Sequence, residues 1–381
     1  MPVVDLPSDQ LRAYAGGAAI PADFSEFWDA TIAEARAHPL DVRFEGVETL
    51  LPLIDTFDVT FAGFGGQPIK AWLHLPAGWD AQTLTHDAAG RLPRDAPPST
   101  HDAAGRLPRD APPSTHDAAG RLPAVVTYLG YSGGRGLPHQ NTLWAQAGYA
   151  MLIMDSRGQG YGGQLGHTPD PHPSSGGNQY PGVMTRGLLS REDYYYRRIY
   201  ADALRAIEAV QAHPAVDAAR VVVQGVSQGG GLALAAAGLA AGRLDGVVGC
   251  LPDVPFLCDY PRALEVASTG PYPELERYLV RHRDHVEAAL MTLPYFDAVN
   301  HARFARVPAY FSVALRDTTC PPSTVYAAFN RYGEEAARAG HAASSGESVE
   351  KSIEEYQFNN HEGGGEHHVA RQLVWLRKRL V

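Results

Sequence analysis

Gly225-Val226-Ser227-Gln228-Gly229 has the spacing G-x-S-x-G. An apolar β-branched run, Val221–Val223, precedes it, and the Ala/Leu-rich stretch LALAAAGLA follows. That order reads as strand, sharp turn, helix. A serine on such a turn projects its hydroxyl off the end of the strand, and glycines flank it because side chains there would strike strand or helix. A serine hydroxyl is a poor nucleophile until a base takes its proton, and the base needs a partner that orients it. At the helix start, the N–H of Gln228 is placed to help stabilise an oxyanion.

On a strand–turn–helix scaffold of this kind, the acid and then the histidine follow the serine along the chain. Two aspartates come directly after apolar runs: Asp317 in LRDTTCPP and Asp253 in LPDVP. Asp297 falls in a helical or loop region and is a weaker candidate. An isolated aspartate is more commonly a turn or cap residue, and the residues alone leave Asp317 and Asp253 open. For the base, His361 follows a strand-like run and precedes a glycine cluster. His367 and His368 fall at the start of the last helix, where surface or capping roles are expected. The string HEGGGEHH also offers His361, Glu362, Glu366 and His367 as metal ligands. H-E-x-x-H chemistry needs both histidines on one helical face, however, and three glycines interrupt any helix here. A second oxyanion donor is expected in the loop after an earlier strand, where YLGYSGGRG (Tyr128–Gly136) places the N–H of Tyr131.

The elements that must position these groups alternate. Asp23–His38 puts Phe24, Phe27, Trp28, Ile32 and Ala35 on one helical face. Two strands follow, joined at Gly65–Gly66, and then strands at Ala124–Tyr131 and Tyr149–Asp155 with a helix near Asn141–Ala147 between them. The Gly/Pro-rich stretch Gly158–Gly187 is long for a connection and is expected over a functional face. A long helix within Arg191–Pro214 turns Tyr196, Ile199, Tyr200, Ala203, Ile207 and Val210 inward. After the serine turn come apolar runs at DGVVGCLPDV and VPAYFSVALRD, separated by a helical segment over about Pro261–Leu290, and a basic-ended C-terminal helix. Strands alternating with helices predict an α/β fold with a mainly parallel central sheet flanked by helices and an N-terminal helical extension. Ligands in such folds bind beyond the carboxyl ends of the strands.

With 381 residues, 45% of them hydrophobic, the chain can bury a large core as a single domain spanning residues 1–381. A formal charge of −10 disfavours nucleic acid and anionic membrane as partners. No run approaches the roughly 18 apolar residues of a membrane span. Three cysteines without metal-ligand spacing, and a first segment without a basic start or apolar run, predict a cytoplasmic protein. One feature is not absorbed by the chemistry. Thr85–Ser99 recurs unchanged as Thr100–Ser114, and Thr115–Pro123 begins the unit a third time. The Pro, Ala and charge content supplies little to bury, so residues 85–123 read as a duplicated, flexible surface loop.

The segments MDSRGQGYGG, GVMTRGLLSREDYYYRRIYADALRAIE, GVSQGGGLALA, LRDTTCPP and NNHEGG together resemble carbohydrate esterase family seven. These are the acetyl xylan esterases and cephalosporin C deacetylases of the α/β-hydrolase superfamily. The likeness runs from about Phe24 to the C-terminus, the repeat excepted, with R-G-Q at Arg157–Gln159, G-x-S-Q-G at Gly225–Gly229 and H-E at His361–Glu362. It implies an α/β-hydrolase fold with Ser227 as nucleophile, His361 as base and Asp317, over Asp253, as acid. It also implies an oxyanion hole from the backbone amides of Tyr131 and Gln228, structural roles for Arg157 and Gln159, and a hexamer with sites facing an inner cavity. The implied substrates are small acetylated carbohydrates or cephems, with no cofactor and no metal. Leu129 stands where the family often has histidine, and Asn360 where glycine is usual; both bear on the edge of the acyl pocket. The competing expectations are a peptidase or carbon–carbon hydrolase on the same fold, or an inactive oligomeric scaffold.

Overall fold

Short apolar runs that are buried on both faces belong in a parallel sheet covered by helices. The computed structural model describes residues 5–77, 115–117, 119–173, 178–335 and 348–381. From the N-terminus, its elements are α1 (Ser8–Leu11), α2 (Phe24–Arg36), β1 (Arg43–Val47), β2 (Ile54–Ala62), β3 (Pro68–Pro76), β4 (Leu122–Tyr128), α3 (Leu143–Gln146), β5 (Ala150–Met154) and α4 (Tyr195–Gln211). Then follow β6 (Val216–Val226), α5 (Gln228–Ala240), β7 (Val247–Asp253), α6 (Tyr260–Val266), α7 (Tyr272–Arg281), α8 (Val286–Thr292), α9 (Ala298–Ala302), β8 (Ala309–Ala314), α10 (Pro322–Arg331), β9 (Lys351–Tyr356) and α11 (Gly365–Leu380).

Among the described residues, nine strands form one sheet in the order β1-β2-β3-β5-β4-β6-β7-β8-β9. From β5 to β9 every neighbouring pair is parallel, while β1, β2 and β3 add an antiparallel edge. All of β5, an unbroken apolar run, and all of β8, apolar but for Ser312, are buried. Tyr128 pairs with Gly225, and Val226 with Asp253, so β4, β6 and β7 end at one edge of the sheet. The segments that follow them open there together.

The face of α2 is buried as its periodicity predicts, with Trp28 donating its indole N–H to the Tyr295 carbonyl at 3.0 Å. In α4, Tyr196, Ile199, Tyr200, Ala203, Ile207 and Val210 all face inward. Three expectations change. The helical region over 261–290 is three short helices, with breaks at Gly270, whose φ is +74°, and at the turn before α8. The helix near 141–147 shrinks to the single turn of α3.

The third, partial copy of the repeat is not a loose loop. Asp117 accepts the N–H groups of Ala119 and Arg121 and pairs with the Arg121 guanidinium, closing a turn. Thr115 donates its hydroxyl to the Gly148 carbonyl, and β4 begins at Leu122, inside the copy. The two full copies, Thr85–Ser114, lie outside the described residues.

Candidate active site

β6 delivers the serine, and the turn that carries it is strained. Ser227 has φ 58° and ψ −119°, a conformation that side-chain-bearing residues rarely adopt. Its backbone is fastened on both sides: its N–H donates to the Asp253 carbonyl at 2.9 Å, and its carbonyl accepts from Phe256 N–H at 2.9 Å. The flanking glycines have a steric reason. A Cβ on Gly225 would stand 2.3 Å from the Gly229 carbonyl carbon, and one on Gly229 would stand 2.1 Å from the Tyr128 carbonyl oxygen.

β8 and β9 supply the other two groups. The Ser227 hydroxyl lies 2.9 Å from His361 Nε2, and His361 Nδ1 lies 2.8 Å from Asp317 Oδ2. With the proton on Nδ1, the imidazole donates to Asp317 and offers Nε2 as acceptor to the serine. Asp317 is fully buried, and its other oxygen accepts the N–H groups of Thr319 (2.8 Å) and Cys320 (2.9 Å). A carboxylate held this way cannot rotate, so the ring it binds has one orientation. Both ring nitrogens are thereby occupied by Ser227 and Asp317.

The rival aspartates lie elsewhere. Asp253, at the end of β7, accepts the Ser312 hydroxyl; burial pushes its carboxyl up to about 6, against the opposing effects of Ser312 and His361. Asp297 caps α9 and accepts three backbone N–H groups, from Val299, Asp259 and Tyr260. Burial and the nearby Asp259 raise it to about 7.

Gln228 is the first residue of α5, so its N–H has no carbonyl partner within the helix. The loop bearing Tyr131 is tied to it through Gln159. The Gln159 Oε1 accepts the Ser132 N–H at 2.6 Å, and its Nε2 donates to Gln228 Oε1 at 3.0 Å and to the Tyr195 hydroxyl at 2.8 Å. Gln228 in turn donates its side-chain amide to the Leu129 carbonyl at 3.3 Å. Arg157 is buried and grips Asp202 with two donors, at 2.5 and 2.7 Å. Gln159 thus joins the loop bearing Tyr131 to the residue at the start of α5.

One residue in this neighbourhood was not foreseen. Glu274 of α7 accepts the Tyr131 hydroxyl at 2.7 Å, and that hydroxyl accepts the Val183 N–H at 2.7 Å. Burial pushes the Glu274 carboxyl up to about 7. Its sequence context, an acidic residue in a helix, gave no signal. His368 corrects an expectation: it is buried, not at the surface, with Nδ1 3.1 Å from the Tyr356 hydroxyl and its ring stacked on Tyr310. Desolvation lowers it to about 4. His367 is exposed. Of the residues weighed for metal, Glu362 accepts from Asn359 and from the Asn360 N–H and so braces its own turn. Among the described residues, ligand-type atoms converge within 4.8 Å at Asp317, Cys320 and His361, two of which are already bonded to each other.

Known proteins share this arrangement of chain and fold. The structure matches that of an acetyl xylan esterase from Paenibacillus sp. R4 with a TM-score of 0.76 and 33% identity, covering 97% of this chain and 99% of that one. Acetyl xylan esterase 1 from Thermoanaerobacterium sp. JW/SL YS485 matches with a TM-score of 0.75 at 27% identity, covering 98% and 99%. In sequence, the acetyl esterase Axe7A of Xylanibacter ruminicola is 31% identical over 193 residues, which are 51% of this chain. That stretch spans only 42% of Axe7A's own length. A family model described as acetyl xylan esterase (AXE1) matches residues 1–84 and 112–379, passing over only residues inside the repeat until the last two of the chain. A match that takes in Ser227, His361, Asp317 and all nine described strands places this chain in the acetyl xylan esterase family.

Proposed function

We propose that the chain is a serine esterase that removes acetyl groups from acetylated xylo-oligosaccharides and related small acetyl esters such as cephalosporin C. The observation that carries this reading is the hydrogen-bonded series Asp317–His361–Ser227 at a strained strand-to-helix turn. Family membership supports the acetyl ester as the substrate class.

His361 Nε2 takes the Ser227 proton as the hydroxyl oxygen attacks the acetyl carbonyl. The oxyanion that forms is met by the backbone N–H groups of Gln228 and Tyr131, worth several kcal/mol in a dry site, ~3 for each donor. The imidazolium, oriented and stabilised by Asp317, gives its proton to the departing sugar or cephem alcohol. A water molecule deprotonated by the same nitrogen then attacks the acetyl-serine, releasing acetate and restoring the hydroxyl. Arg157 and Gln159 touch no reacting atom in this scheme; Gln159 ties the loop of one oxyanion donor to the other, and Arg157 grips Asp202 in the interior.

The purified protein is expected to release acetate from acetylated xylo-oligosaccharides, and Ser227→Ala to lower kcat by about a millionfold. Undiminished release by the alanine variant would contradict the serine mechanism. Comparing cephalosporin C and longer acyl esters in the same assay sets the acyl limit, and equal rates with long chains would contradict the acetyl preference. The proposal extends to a homo-oligomer, a hexamer by family resemblance, which sedimentation tests. It also extends to a cytoplasmic location, supported by three buried cysteines that form no disulfide, which cell fractionation tests.

A further inference from the structure

The mechanism above leaves unused Asp253, a buried ionisable group beside the serine turn. Asp253 is 4% exposed and ends β7 next to the serine turn, with its backbone carbonyl holding the Ser227 N–H. Its carboxylate does not point into a void. A Cβ built on Gly363, two residues past His361, would lie 3.2 Å from Asp253 Oδ1, so the His361–Gly363 turn packs against this carboxylate. Gly363 has φ +58°, which lets the turn fold back that closely.

A buried carboxyl with one side-chain donor, the Ser312 hydroxyl, is costly to keep charged, and proteins seldom retain one without use. The groups facing it are few. Ser312 comes from β8, the Tyr356 phenol from the end of β9, and His361 from the turn beyond; among these only His361 can carry positive charge. Charged His361 favours ionised Asp253. A carboxylate and an imidazolium on either side of that turn attract each other as any opposite charges do.

We propose that Asp253 is a positioning residue for the same reaction, a second negative charge behind the His361–Gly363 turn that stabilises the imidazolium formed when Ser227 gives up its proton. It touches neither substrate nor the ring nitrogens and acts only through His361. The inference rests on the catalytic reading of Ser227 and His361. Its pH signature follows from burial, which raises the carboxyl to about 6. Above that pH the second charge is present; well below it Asp253 is neutral and contributes nothing.

The test is kcat/KM against pH for wild type and Asp253→Asn. The variant is expected to be about three- to tenfold slower at about pH 8, and the deficit should close as the pH drops well below 6. A deficit of equal size at every pH, as a purely structural role would give, overturns the proposal, and so does no deficit at all. Should Asp253→Asn not fold, Ser312→Ala carries the question. Loss of that hydroxyl donor raises the Asp253 carboxyl further, so the pH at which the extra rate appears moves upward. An unmoved profile overturns the proposal. Ser227→Ala separates the two readings: turnover that persists in it defeats the serine mechanism itself. Turnover that needs Ser227 while the Asp253→Asn deficit ignores pH defeats only the role given to Asp253.

Discussion

Ser227 is held at φ 58° by hydrogen bonds on its own N–H and carbonyl, a conformation that costs on the order of 1–3 kcal/mol and is retained because the hydroxyl must stand clear of the sheet. Burial acts on other residues through their protonation. His301 is enclosed by the rings of Phe24, Trp28 and Tyr200 at 5.0, 4.9 and 5.0 Å, and desolvation lowers it from 6.5 to about 3. The unfolded chain takes up this proton below pH 6.5 and the folded chain does not, so folding loses stability as pH falls from 6.5 toward 3. His301→Phe keeps a ring in the cage and removes the titration. Its melting temperature should therefore fall less between about pH 7 and about pH 5 than that of wild type. An equal slope would contradict the neutral, buried state. At this scale the serine was legible from spacing alone, because glycines on both sides have a local steric cause. The acid was not: Asp253 and Asp317 both follow buried strands, and only the packing of the turn after β8 against the turn after β9 decides which one meets the imidazole.

Short strands and the long helix α4 could be read from apolar runs and 3.6-residue periodicity, because burial on a sheet face is written locally. The region over 261–290 could not, because its breaks answer to neighbours. A Cβ on Gly270 would meet the Thr319 side chain at 2.3 Å, in the loop that carries Asp317. Those breaks set α7 where Glu274 reaches Tyr131, so a helix far along the chain braces the loop expected to hold the oxyanion. Glu274→Ala removes the acceptor for the Tyr131 hydroxyl and frees the turn at Val183. A hydrogen bond contributes about 1 kcal/mol net, so kcat is expected to drop about fivefold. KM should move little, since the oxyanion donors act in the transition state. Unchanged kcat would show that Tyr131 is held without α7.

Across the whole molecule, one sheet brings residues from β4, β6, β8 and β9, separated by more than two hundred positions, to a single edge. The repeat interrupts this chain between β3 and β4. Its last copy forms the Asp117–Arg121 turn and the start of β4, and the family match passes over residues 85–111. Deleting Thr85–Ser114 leaves one copy of that turn in place. The deletion variant should match wild type in melting temperature and kcat, and loss of either would give the two full copies a role. Self-similarity made the repeat conspicuous in the sequence, but identity between copies could not show that the third one is folded. The account as a whole stands on the acetyl group passing through the Ser227 oxygen. Rapid quenching of the enzyme during turnover of an activated acetyl ester, followed by peptide mass mapping, reads that directly. One acetyl group on the peptide containing Ser227, absent in Ser227→Ala, is the predicted result; turnover with no acetyl on Ser227, or acetyl at another residue, would contradict it.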